Sequence, residues 1–122
     1  MIGTLQCLVL DCPDPGALAR FYAAVLGGEV DRPDRRWSLG AGWSTLHLDD
    51  GTVFCFEGVA DHRPPRWPDG EHPQQAHLDI DVADLDTAEA AVLALGAVRL
   101  HDAGGWRVHA DPAGHPFCLV RG

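Results

Sequence analysis

Cys7, Cys12, Cys55 and Cys118 are the side chains best suited to bind a soft metal or react as thiols in this 122-residue sequence. They are scattered, with no C-x-x-C pair. Their uses are two: small buried apolar residues, or thiolate donors. By strand parity His77 is the histidine that shares the helix-free side with Cys7, Cys55 and Cys118. His47, His101, His109 and His115 lack a spacing such as H-x-x-x-H and read as surface or turn residues. No phosphate-cradling glycine loop and no G-x-S-x-G elbow occurs. Thiols, one histidine and carboxylates are therefore the chemistry that the fold must position.

The elements that carry them follow from punctuation and periodicity. Leu5 to Cys12 is apolar and strand-like. Asp14-Pro15 is an N-cap followed by proline at the first helical position. Leu18, Phe21, Tyr22 and Val25 then recur at helical spacing, and Gly27-Gly28 stops the helix. Strands are expected at Arg36 to Leu39, Trp43 to Leu48 and Val53 to Glu57, separated by glycine turns. His62 to Gln75 holds four prolines and reads as a stiff linker. Afterwards the order restarts. Ala76 to Val82 is a strand. Asp84 caps a helix with Leu85, Ala88, Val92 and Leu95 on one face, and Gly96 ends it. Val98 to His101, Trp106 to Ala110 and Pro116 to Val120 are short strands. His115 is expected to fix the turn before the last of them.

The doubling has a register. Shifted by 70 residues, Leu8, Leu10 and Asp14 fall on Leu78, Ile80 and Asp84. Shifted by 63, Trp43, Gly51, Phe54 and Cys55 fall on Trp106, Gly114, Phe117 and Cys118. The chain thus reads as two βαβββ modules, an α+β fold with curled mixed sheets around a shared cavity and helices outside. Module one covers about 1–60, the linker about 61–75 and module two about 76–122, as one domain.

Strand parity then sorts the side chains. With Leu8, Leu10, Phe54, Phe56, Leu78, Ile80, Phe117 and Leu119 packed under the helices, Cys7, Cys55, His77 and Cys118 face the other way. By the repeat, Cys7 corresponds to His77 and Cys55 to Cys118. Those four are expected to converge in one cavity. Asp11, Asp79 and Asp81 share that side, either orienting a cationic ligand or acting as a base, or simply solvated. Trp37, Trp43 and Trp106 either line a flat apolar pocket for an aromatic ligand or pack ordinarily. Trp67 in the linker is read as a clamp between the modules.

Composition limits the partners. Eighteen acids against nine bases give a net charge of -9. That excludes a phosphate-tracking basic surface, so no nucleic acid is expected. Docking on anionic membranes is disfavoured in the same way, and no apolar run nears the ~20 residues of a spanning helix. The start, MIGTLQCLVLDCPD, lacks a basic region and meets an acid at Asp11, so it does not read as a signal peptide. A reducing cytoplasm, without a disulfide framework, is the expected setting.

V-L-D-C-P-D-P-G-A-L-A-R-F-Y-A-A-V-L-G, from Val9, resembles the first motif of the vicinal oxygen chelate superfamily. H-L-D-I-D-V-A-D-L-D from His77 and D-P-A-G-H-P-F-C-L-V from Asp111 resemble its second module. That group includes glyoxalase I, extradiol dioxygenases, and fosfomycin and bleomycin resistance proteins. The R-P-P-R-W-P linker is similar to that of uncharacterised actinobacterial glyoxalase-like proteins. The resemblance implies one metal ligand from the first and last strand of each module. Those positions are Cys7, Cys55 (with Glu57 two residues on, the candidate catalytic carboxylate), His77 and Cys118. A glutamate is usual where Cys118 stands. Three thiols and an imidazole form a soft set that suits a closed zinc site, so the cofactor is zinc or none. The resemblance leaves three functions: a small-molecule holder, a metal-dependent lyase or dioxygenase, and a zinc-stabilised module without turnover. It also implies a homodimer.

Overall fold

The computed structural model describes residues 1–37 and 40–122. Two compact units divide the chain, residues 1–62 and 63–122. Each is a βαβββ module with a four-stranded mixed sheet.

In the first unit β1 (Leu8–Cys12) leads into α1 (Pro15–Leu26). The Asp14 carboxylate accepts the Ala17 N–H at 3.0 Å, satisfying one orphan donor of the first turn. Gly27, at φ 78, ends the helix in a conformation open to glycine. Leu18, Ala19, Phe21 and Tyr22 form the buried stripe. The Tyr22 ring stacks over both Phe54 and Phe56, at 6.4 and 6.0 Å. Each such ring contributes about 1.5–3 kcal/mol by leaving water.

β2 (Glu29–Val30), β3 (Trp43–His47) and β4 (Val53–Gly58) complete the sheet, in the order β1-β4-β3-β2. The strand expected at Arg36 to Leu39 is corrected. Arg35–Trp37 is a 3₁₀ turn, held by the Trp37 N–H on the Asp34 carbonyl, and Ser38 and Leu39 lie outside the described residues. The pairing partner of β3 is instead Glu29–Val30, directly after the Gly27-Gly28 stop.

In the second unit β5 (Leu78–Val82) leads into α2 (Leu85–Ala94), capped by Asp84 on the Thr87 N–H at 2.7 Å. β6 (Val98–Asp102), β7 (Trp106–Ala110) and β8 (Pro116–Arg121) follow, ordered β5-β8-β7-β6. The two sheets share one register. Leu8 pairs with Phe54 as Leu78 pairs with Phe117, and Thr45 pairs with Cys55 as Val108 pairs with Cys118.

The helix faces depart from expectation in three places. Leu8 is 37% exposed because β1 is an edge strand of its sheet, although Cys12 of the same row is fully buried. Leu95 is exposed too, since α2 ends before it. His47 and His109, read as surface residues, are buried. His109 lies under α2, where its Nε2 meets Glu89 at 2.8 Å. Arg107 reaches the same carboxylate at 3.2 Å and Asp86 at 2.7 Å.

The turn before β8 is closed between Asp111 and His115: the buried Asp111 carboxylate accepts the N–H groups of Ala113 and His115 at 2.8 and 3.0 Å, and the Asp111 N–H donates to the His115 carbonyl at 2.8 Å.

β6 carries one irregularity of consequence. Arg99 pairs with His109, yet His101 pairs with Val108 and Asp102 with Arg107. Leu100 is the extra residue of a bulge. If the ladder ran straight on from Arg99, Leu100 would stand opposite Val108 and His101 opposite Arg107, on the helix face. With the bulge, His101 joins the other face and Asp102 comes within 3.4 Å of Arg107.

Candidate functional site

In the second sheet the helix-free face is built from alternate residues of each strand. Asp79 stands opposite Cys118, Cys118 opposite Val108, and Val108 opposite His101, one continuous row. His77 precedes β5 by one residue and lies on the same face as Asp79. Its Nε2 sits 3.4 Å from the Asp79 carboxylate. Ligand atoms of His77, Asp79 and Cys118 all lie within 4.8 Å of one another. Cys118 is buried, while the His77 and Asp79 side chains are 41% and 63% exposed, so a ligand reaches them from solvent. With Trp106 and Val120, these three line a cavity of about 310 Å³.

The electrostatics favour a cation there. Burial pushes the Cys118 thiol up to about 11, and the Asp79 carboxylate beside it adds to the rise. A divalent ion would offset both effects by stabilising the thiolate. The donor set of imidazole, carboxylate and thiol is one that zinc accepts, and three protein donors leave a coordination position open. The residues present therefore fit a metal. Asp79, expected only as a pocket acid, is the third candidate donor of this group. H-x-D on a strand puts both side chains on one face, which is the signal that finds it.

In the first sheet Cys7 neighbours Cys55. Burial pushes the Cys55 thiol up to about 12, and Cys7 beside it contributes. All four cysteines are free thiols, with Cys7 half-buried and the other three buried. Asp11 stands opposite Glu57, and Glu57 opposite Trp43, so two carboxylates and an indole share a row. Trp37 and Trp43 line a different cavity, of about 280 Å³, with Asp31 and Thr45. Asp31 holds φ 52, an uncommon conformation for a non-glycine residue. Its carboxylate accepts Ser44 Oγ–H at 2.8 Å and Thr45 N–H at 2.9 Å, which stabilises that geometry. The tryptophans thus serve two cavities, Trp37 and Trp43 in one unit and Trp106 in the other. Trp67 packs on His101 within the second unit, ring centroids 5.8 Å apart.

The family model of the glyoxalase-like domain matches residues 7–120. The chain belongs to the glyoxalase-like domain family. Solved structures support the same fold for this glyoxalase-like domain. It is similar to the fosfomycin resistance protein FosX of Listeria monocytogenes, at 17% identity and TM-score 0.67, covering 100% of this chain and 95% of that one. A glyoxalase/bleomycin resistance protein/dioxygenase family enzyme of Burkholderia phytofirmans matches at 15% identity and TM-score 0.69, covering 98% of each chain. A glutamate-to-glutamine mutant of the Listeria FosX, solved with Mn(II) and 1S,2S-dihydroxypropylphosphonic acid, matches at 16% identity and TM-score 0.66, covering 100% of this chain and 94% of that one. Among curated proteins none matches. Among the described residues no helix is long and apolar enough to cross a membrane.

Proposed function

We propose that this glyoxalase-like domain binds a small molecule beside a divalent metal held by His77, Asp79 and Cys118. The observation that carries the reading is the approach of those three donors to within 4.8 Å in an open-sided cavity. Zinc is the metal, because a thiolate donor disfavours Mn(II), which prefers oxygen and nitrogen. When bound, zinc supplies Lewis acidity and lowers the pKa of a coordinated water. His77 and Asp79 orient each other, and buried Cys118 anchors the ion from the strand below. The R-P-P-R-W-P linker supports a likeness to the actinobacterial glyoxalase-like proteins. We assign a homodimer as its working state.

Metal analysis followed by zinc titration tests the reading. One zinc per chain is expected. His77→Ala, Asp79→Asn and Cys118→Ser should each weaken binding by at least about tenfold, the scale of losing a ligand or its orienting partner. X-ray absorption should count one sulfur at ~2.3 Å. Three sulfurs would instead put Cys7 and Cys55 in the shell, as the superfamily pattern implies. A chain that takes up no zinc at neutral pH overturns the metal reading. A metal-dependent lyase or dioxygenase would in addition turn over a hemithioacetal or a catechol once zinc-loaded.

A further inference from the structure

Beside the metal donors, one wall of the cavity is an aromatic ladder. Trp106 lines the cavity and is 42% exposed. Behind it lies His101, ring centroids 6.0 Å apart and tilted by 55°. Behind His101 lies Trp67, 5.8 Å away and tilted by 53°. Three rings in series fix the angle of the outermost one.

Two local devices hold the ladder. The bulge at Leu100 turns His101 onto the cavity face, opposite Val108 and in one row with Cys118 and Asp79. The loop carrying Trp67 is tied by the Arg66 N–H on the His72 carbonyl at 2.7 Å and the Asp69 N–H on the Arg66 carbonyl at 2.6 Å. Neither device is needed to pair β6 with β7.

Charge on this face is one-sided. Asp79 and Asp81 of β5 point the same way as His77, and the strands contribute no arginine to this face. The chain has no lysine at all. An indole face is itself electronegative.

We propose that Trp106, positioned by His101 and Trp67, is a stacking platform for a flat aromatic group carrying no negative charge. The proposal names the ligand class of the site described above and rests on that reading for its place beside the metal. The platform itself is independent of zinc. His101 is a positioning residue, acting through Trp106.

The test uses three probes of one shape: 2-naphthalenemethanol, its decahydro counterpart, and 2-naphthoate. Each is titrated into metal-free and zinc-loaded full-length protein, following the four tryptophan indole N–H resonances. In metal-free protein the aromatic alcohol should bind about fivefold to tenfold more tightly than the saturated one. It should also bind more tightly than naphthoate, and should shift the Trp106 resonance most. Trp106→Ala should abolish the preference for the aromatic ring. His101→Ala should weaken it severalfold, and His101→Phe should restore it, which a merely structural role would not predict. Equal binding of the aromatic and saturated probes, or an unchanged preference in Trp106→Ala, overturns the proposal. Tighter naphthoate binding to metal-free protein overturns the charge claim. If zinc fails to bind but the metal-free preferences hold, the metal reading falls and the platform stands.

Discussion

The His109 imidazole, fully buried under α2, holds the Glu89 carboxylate at 2.8 Å. The repeat places this pair where the first unit has Leu46 and Ala19, both fully buried. One module closes its helix-sheet contact with apolar atoms, the other with an ion network that also engages Arg107 and Arg99. Burying one half of such a network alone is costly. His109→Leu and Glu89→Ala should each destabilise by about 2–3 kcal/mol. The double variant, which copies the first module, should cost less than the sum by about 1 kcal/mol or more. Urea denaturation of the four proteins measures the coupling. Strict additivity would show that the pair does not act together.

Alkali should destabilise the metal-free protein. The Cys118 thiol is pushed up to about 11 and Cys55 to about 12, both first by burial. An unfolded thiol ionises near ~8.5. Below that pH both states are protonated and the contribution is fully present. As pH rises further, the unfolded chain loses its protons first, and stability falls up to the folded values. The urea midpoint should therefore drop steadily from about pH 8.5 upward, and Cys118→Ser should flatten the slope. Zinc affinity runs the other way, weakening as pH falls, because binding expels the thiol proton. A midpoint flat from pH 8 to 10.5 would contradict the thiol shifts.

Gly51 and Gly114 are repeat partners with the same left-handed backbone, φ 90 and 94. Their surroundings differ. A Cβ on Gly51 meets open space, whereas one on Gly114 would lie against the Pro64 side chain, closer than real Cβ contacts come. Gly51→Ala should cost about 1 kcal/mol from backbone strain alone. Gly114→Ala should cost roughly twice that or more, since the Pro64 segment must also move. Melting temperatures of the two variants, measured side by side, provide the check. Equal losses would mean that Pro64 yields freely.

Most of the architecture was legible because both signals behind it are local. Proline and glycine mark the element ends, and alternation marks the buried face, so Phe54, Phe56, Phe117 and Leu119 were sorted correctly. Arg36 to Leu39 misled because its polar and apolar residues alternate, whereas Arg35–Trp37 forms a 3₁₀ turn. The repeat offered the better guide, since β6 begins two residues after Gly96 and β2 one residue after Gly28. His109 escaped because histidines were weighed by ligand spacing. The informative sign was a matched exchange, Leu46 for His109 and Ala19 for Glu89. The packing of Trp67 against His101 left no trace in the sequence, since 34 positions of chain separate them and only the bulge brings the imidazole to that face.

The bulge also marks where this fold tolerates a change of length. Leu100 is the residue in β6 that the ladder does not count. A chain without it would pair straight through, His101 still opposite Val108 and Asp102 still opposite Arg107. Deletion there leaves both faces intact, while deletion at a neighbouring strand position reverses the facing of every residue up to the next turn. Relatives of different length can therefore keep the same cavity wall, and an insertion or loss at this one position is a change of spelling rather than of meaning.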